Sequence, residues 1–179
     1  MDSKIHNLWP VPLYETVIDV KKEWVDLAKS FDYQRTGSDI GDYTKNCYIL
    51  NKFPELKSNI LKHKNHFFYD QLCAEKNLKL ELENSWINRH NNGDFSEEHS
   101  HVNSMLSGCV YLDVPKNSGD VLFIKPFLYN NLLDNMIEIN YEKANTLNCK
   151  KFGIKPQNGT LLFFPSWLPH SVEQNKSHE

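Results

Sequence analysis

Glycine and proline are scarce in this chain, at 7 and 8 of 179 residues. That scarcity leaves no room for a collagen-like, linker-rich or long disordered segment. A length of this order suits one core of ordinary size, so a single domain over 1–179 is expected. Cysteine is scarce too. Cys47, Cys73, Cys109 and Cys149 stand far apart with no C-x-x-C pair, which argues against a zinc knuckle or a dithiol redox motif and leaves four free thiols. Long apolar runs are missing: none approaches the about 20 residues that span a bilayer. The opening Met-Asp-Ser-Lys-Ile-His-Asn-Leu-Trp-Pro also lacks the basic-then-apolar order of a secretion signal. A cytoplasmic protein with no membrane partner is the resulting expectation. No charge of one sign dominates. The formal net charge of -3 supplies no basic field for nucleic-acid phosphates or anionic lipid, and the local group Lys57, Lys62, Lys64 reads as a solvated helix face. Internal repeats and low-complexity tracts are absent as well.

What is present falls into two groups. Lys21 to Ala28, and Pro54 to about Ala74, show apolar spacings of three and four. This predicts two helices, the second with Pro54 in its first turn and a Phe67, Phe68, Leu72 stripe packed on a sheet. After Asn77 the pattern becomes short strands between turn clusters, the signature of an all-β sandwich or barrel. The predicted strands are Leu80 to His90, Met105 to Val114, Val121 to Lys125, Phe152 to Lys155, Thr160 to Phe164 and Pro169 to Glu173. Their punctuation is Asn91-Asn92-Gly93-Asp94, Pro115 to Asp120, and Pro156-Gln157-Asn158-Gly159. The expected fold is mainly β with flanking helices: a jelly roll whose one sheet is buttressed by the helices. Within it, 1–78 supplies an N-terminal strand and supporting helices, and 79–179 the jelly-roll core. Phe127 to Leu147, with Leu132, Leu133, Met136, Ile137 and Ile139, suits a short helix or ordered loop that could form part of a substrate lid.

The chemistry-bearing feature is Glu97-Glu98-His99-Ser100-His101, which follows a turn and precedes an apolar strand. In extended backbone His99 and His101 project to the same side, so their imidazoles can reach one point. His170 follows a buried strand and a Pro-bounded turn, and it completes a three-ligand face if the two strands are neighbours. Imidazole suits iron, zinc, copper and nickel, and a facial set with open positions is the arrangement of non-haem iron oxygenases. The spacing by itself supports a metal site without choosing the ion. The other reading of H-x-H alone is a solvated strand end. His6, His63, His66 and His178 are assigned to surface or helix packing. Trp86, Phe163, Phe164 and Trp167 are assigned to the core and rim. Glu97, on the same face as His99, is either an acceptor for an imidazole or a solvated charge.

Around these residues the order of motifs is informative. Ser85-Trp-Ile-Asn is followed by Gly93-Asp94, His99-Ser-His101, Ser107-Gly-Cys-Val-Tyr-Leu with Pro115 and Ser118-Gly119, and Pro156 through His170-Ser-Val. This succession resembles the 2-oxoglutarate- and Fe(II)-dependent oxygenases of phages and marine bacteria, a family of the double-stranded β-helix (cupin-like) superfamily. Leu8-Trp-Pro-Val-Pro-Leu-Tyr resembles the family's start. The resemblance implies that His99, His101 and His170 hold Fe(II), with 2-oxoglutarate as cosubstrate. Its oxidative decarboxylation to succinate would then be coupled to hydroxylation of a small molecule or polymer side chain. It further implies that the Tyr111 hydroxyl bonds the distal carboxylate of 2-oxoglutarate, the other reading being a half-buried strand tyrosine. Asn88 and His90, sharing a face of the preceding strand, are candidates to approach cosubstrate or substrate.

Two departures from that resemblance stand out. Most of the superfamily carries a carboxylate where this chain has His101. A basic residue, usually Arg, is also expected about ten positions after the distal histidine, where it pairs with the far carboxylate of 2-oxoglutarate. The sequence stops at Glu179, so the expectation is a truncation short of that anchor and of the last strand, with Lys176 or Lys125 as weaker substitutes. Two other functions compete: a non-catalytic metal-containing jelly-roll binding or phage structural module, and a cupin-like three-histidine metalloenzyme that works without 2-oxoglutarate.

Overall fold

The computed structural model describes residues 2–8, 10–35, 41–126 and 140–178. Three antiparallel sheets organise them, and one strand explains the layering. The strand β9, Thr160–Pro165, is buried along its whole length. Successive side chains of a strand face opposite ways, so an apolar run without alternation needs cover on both faces. Leu161 and Phe163 point to one core, with Ile18, Trp24, Ala28, Ile49, Phe53, Leu56, Ile60 and Phe67. Leu162 and Phe164 point to another, with Val121, Phe123, Ile154 and Leu168. The first core lies under the helices and the second between two sheets, which makes a β-sandwich with helices on one sheet, as expected.

β9 is the middle strand of the first sheet. It is flanked by β1, Tyr14–Val17, and β6, Leu106–Val110. At its start Gly159 holds a positive φ of 87°, and a Cβ there would lie 1.9 Å from the Ile18 carbonyl, so only glycine fits. The second sheet runs in the order β5, Ser96–His99; β10, His170–Val172; β7, Val121–Ile124; β8, Lys151–Ile154. A third, small sheet joins β2, Tyr33–Arg35, and β3, Asp42–Thr44, to β4, Asn88–Arg89. It is tied to the sandwich by a bidentate pair from the Arg35 guanidinium to the buried Asp94, at 2.9 and 2.7 Å.

Helix α1, Lys22–Lys29, buries Trp24 and Ala28, one turn apart. Helix α2, Pro54–Asn65, begins with Pro54 and buries Leu56 and Ile60, again one turn apart. A π turn, His66–Gln71, follows and places the neighbours Phe67 and Phe68 in the interior. The Leu72 N–H reaches back five residues to the Phe67 carbonyl at 2.9 Å. That extra residue advances the phase, so Leu72 leaves the predicted stripe and is exposed.

The predicted strand Leu80 to His90 is mostly not laddered. Only Asn88–Arg89 pairs regularly, because its partner β3 is three residues long and the chain beyond turns into a 3-10 helix, Ile49–Lys52. Upstream, single hydrogen bonds from Ser85 to Cys47 and from Ile49 to Ser85 hold the segment. The predicted lid falls largely on 127–139, outside the described residues; 140–150 forms turns. The other predicted strands are found within a few residues of their expected ends. All four cysteines are free.

Candidate metal centre

Two neighbouring strands of the second sheet deliver the histidines. β10 begins at His170, which lies opposite His99 at the end of β5 and opposite Phe123 of β7. His101 sits just past β5, where its N–H donates to the Ser166 carbonyl at 2.8 Å. That bond ties the segment after β5 to the turn between β9 and β10. Ring centroids are 4.3 Å apart for His99 and His170, 5.0 Å for His101 and His170, and 5.3 Å for His99 and His101. One ligand nitrogen from each ring lies within 4.8 Å of the other two, the only such three-residue group among the described residues.

The ring orientations suit a cation. His99 Nδ1–H donates to the Glu97 carbonyl at 2.8 Å, and His170 Nδ1–H donates to the Leu168 carbonyl at 2.9 Å. Each ring is thus fixed by the backbone two residues upstream, which selects the tautomer and leaves Nε2 with its lone pair available. The Glu97 group that serves His99 is its backbone carbonyl and not its carboxylate, which is exposed. His170 is buried, with Phe164 edge-on at 4.8 Å and Phe123 at 6.1 Å. Burial and the two neighbouring imidazoles pull its pKa down to about 4, against the opposing effect of the Leu168 carbonyl. Burial also lowers His101, helped by His99. Both rings are therefore neutral near pH 7, the state that binds a metal. Three nitrogen donors on converging rings fit a borderline cation such as Fe(II). His99 is exposed and His101 half-buried, so one side of the group is open.

Tyr111 lies just past β6. Its backbone is held on both sides, N–H to the Thr160 carbonyl at 2.9 Å and carbonyl from the Gly159 N–H at 2.8 Å. Its ring packs on the core that contains Phe164, the residue against His170. Burial raises the phenol pKa strongly, helped by the Cys109 thiol to which its hydroxyl donates, so the hydroxyl stays protonated and serves as a donor. Burial pushes the nearby Cys109 thiol up to about 11, where it is not a thiolate at neutral pH. The structure brings the three histidines together, with Tyr111 in the core that also packs His170.

Asn88 and His90 stand in a different setting. Asn88 is exposed on β4, opposite Tyr43. His90 shares a 3.3 Å hydrogen bond with Ser96, and its carbonyl accepts from Asn175 at 2.8 Å. Lys176 is exposed, with its N–H on the Asn117 carbonyl, whereas Lys125 directly follows β7. The carbonyls of Glu97 and Leu168 and the ring of Phe123 carry no sequence signal of their own; only the fold shows what they touch. Trp86 packs edge-on against His101, with centroids 6.1 Å apart.

A β-sandwich with three converging histidines at the end of one sheet defines a candidate metal-binding fold. Within it, the family described as "Putative 2OG-Fe(II) oxygenase" matches residues 84–179, more than half of the chain, and the protein belongs to that family. Membership implies Fe(II) and 2-oxoglutarate and makes the chain an oxidoreductase by descent. A search of curated proteins finds no match. Among the described residues no helix is long and apolar enough to cross a membrane.

Proposed function

We propose that this protein is a 2-oxoglutarate-dependent Fe(II) dioxygenase of double-stranded β-helix architecture. It acts as a single domain in the cytoplasm, with the phage and marine bacterial oxygenases as its kin. His99, His101 and His170 would hold the iron. The observation that carries this reading is the convergence of three imidazole nitrogens within 4.8 Å, two of them on rings already locked by backbone carbonyls two residues upstream. When bound, Fe(II) and 2-oxoglutarate supply oxidative decarboxylation coupled to hydroxylation of a C–H bond. The chain's residues do the rest. Tyr111 would donate its hydroxyl to the far carboxylate of 2-oxoglutarate, Phe123 and Phe164 keep water from the buried side of His170, and Asn88 and His90, which lie on and just past β4 in a different sheet from the histidines, would approach the substrate from there. The protein's share is geometry and dryness, since the oxidising power belongs to the metal.

The test is iron binding by elemental analysis, 2-oxoglutarate binding to the iron-loaded chain by its visible charge-transfer band, and succinate formation in air. All three are expected. Iron retained without 2-oxoglutarate binding would replace this reading with a three-histidine metalloprotein of another kind, and no iron at all would remove it.

A further inference from the structure

The open side of the histidine group has an unusual surface. Four large apolar side chains are exposed there: Trp86 at 41%, Trp167 at 50%, Met105 at 56% and Val102 at 80%. Trp86 touches a ring of the site, and the other three are carried beside it by the chain. Trp86 meets the His101 ring edge-on. Val102 is the next residue along from His101. Met105 accepts the Ser166 N–H at 3.1 Å, the same residue whose carbonyl holds His101, and Trp167 follows it. Three separated chain segments thus carry exposed apolar residues next to His101 or to the turn that holds it. Scattered exposed apolar residues need no explanation, whereas a group contiguous with a reactive centre marks a binding surface.

Charge narrows what that surface accepts. Glu97 and Glu98 are exposed on β5 immediately before His99, and neither pairs with a Lys or Arg among the described residues. Lys125, the basic residue that follows β7, is itself engaged. Successive strand side chains alternate faces, so Glu97 shares the face of His99, and its carboxylate disfavours an anionic substrate group, while aromatic faces attract rings, C–H surfaces and cations. Resting on the function proposed above, we infer that the substrate presents its reacting carbon on an apolar, non-anionic group, an aromatic ring or branched aliphatic chain. Trp86 is the residue that positions it. Trp86 acts on the substrate's orientation, so its loss weakens binding of that group without removing the metal.

The experiment loads the full chain with Mn(II), which is redox-silent here, plus 2-oxoglutarate. It measures paramagnetic broadening of the NMR lines of three probes: N-acetyl-L-phenylalaninamide, N-acetyl-L-leucinamide and N-acetyl-L-aspartate. A Zn(II)-loaded sample is the diamagnetic blank, and water relaxation reports Mn(II) binding separately. The two apolar probes are expected to broaden at least fivefold more than the acidic one. Trp86→Ala should cut that difference at least fivefold and Trp86→Phe should restore most of it, while water relaxation is unchanged in both; Trp167→Ala gives an independent, smaller loss. If Mn(II) binds but the acidic probe broadens as much as the apolar ones, or Trp86→Ala changes nothing, the substrate class is wrong and the metal site stands. If water relaxation shows no bound Mn(II), the metal reading falls and takes this inference with it.

Discussion

The two faces of β9 have opposite characters. Toward the helices, Leu161 and Phe163 meet a core built from aliphatic and aromatic side chains, closed by α1, α2 and the π turn. Toward the second sheet, Leu162 and Phe164 share their space with Tyr111, and Phe164 with His170. One strand therefore separates a largely apolar face, where Tyr14 bonds His63 at 2.8 Å, from a face that also accommodates the candidate ligand His170 at a desolvation cost. The lesson is a division of labour within a single element. The helix side supplies the surplus of burial that lets the other side hold an imidazole in its neutral, metal-ready state.

Substitutions on the two faces should separate stability from chemistry. The largest effect expected is on the metal: His99→Ala or His170→Ala leaves two imidazoles, and bound iron measured by elemental analysis should fall to background while the fold persists by circular dichroism. On the helix face, Phe163→Ala should do the reverse, lowering unfolding free energy by about 3–5 kcal/mol in denaturant titration while the residual folded protein still binds metal. Equal loss of metal and stability from both substitutions would break the comparison. Asp94→Ala tests the clamp to the third sheet. It removes two charge-assisted hydrogen bonds from a half-exposed Arg35 and should cost about 1–3 kcal/mol, with little change in iron content.

The same clamp carries a pH signature. Burial works against the Asp94 charge, but the Arg35 guanidinium and the Asn91 N–H outweigh it and hold the carboxyl below its ordinary 3.8. Asp42 is likewise lowered, chiefly by Arg89. A carboxyl depressed in the folded state contributes stability above its unfolded pKa. That contribution is lost as pH falls below about 3.8, because the unfolded chain takes up the proton first. Thermal melts from pH 5 to pH 2.5 should show this loss in the native chain and less of it in Asp94→Ala. The smallest effect expected is Tyr111→Phe, which removes one hydroxyl donor and should weaken 2-oxoglutarate binding about fivefold to tenfold, with iron content unchanged.

Much of this architecture was legible because turn residues punctuate it. The clusters at 91–94, 115–120 and 156–159 bound real strands, and the period-two spacing of His99 and His101 placed both rings on one side. Strands β2 and β3 were missed because three residues rich in polar side chains carry no periodicity to read. The predicted strand Leu80 to His90 misled for the complementary reason: a pattern can specify a face without specifying a partner. Leu72 fell off its predicted stripe because a single π turn changes helical phase, and nothing in the spelling of His66–Gln71 marks it. At the metal centre the ring identities were visible but their orientation was not, since a carbonyl looks the same in every residue. Arg35 and Asp94 are 59 positions apart, and only the folded chain shows that they meet.

The turn from Pro165 to Pro169 sets the distance between ligands. Within five residues it lends the Ser166 carbonyl to His101 and the Leu168 carbonyl to His170, and between them it displays Trp167 to solvent. Its length is thus a calibration shared by two ligands, whereas the side chain at its tip touches neither backbone bond. Descendants of this sequence are free to vary residue 167 and so retune what they accept, but a one-residue insertion or deletion in the turn would throw two ligands out of register together. Diversity among such proteins should accordingly appear as changes of letter at this turn and not as changes of length.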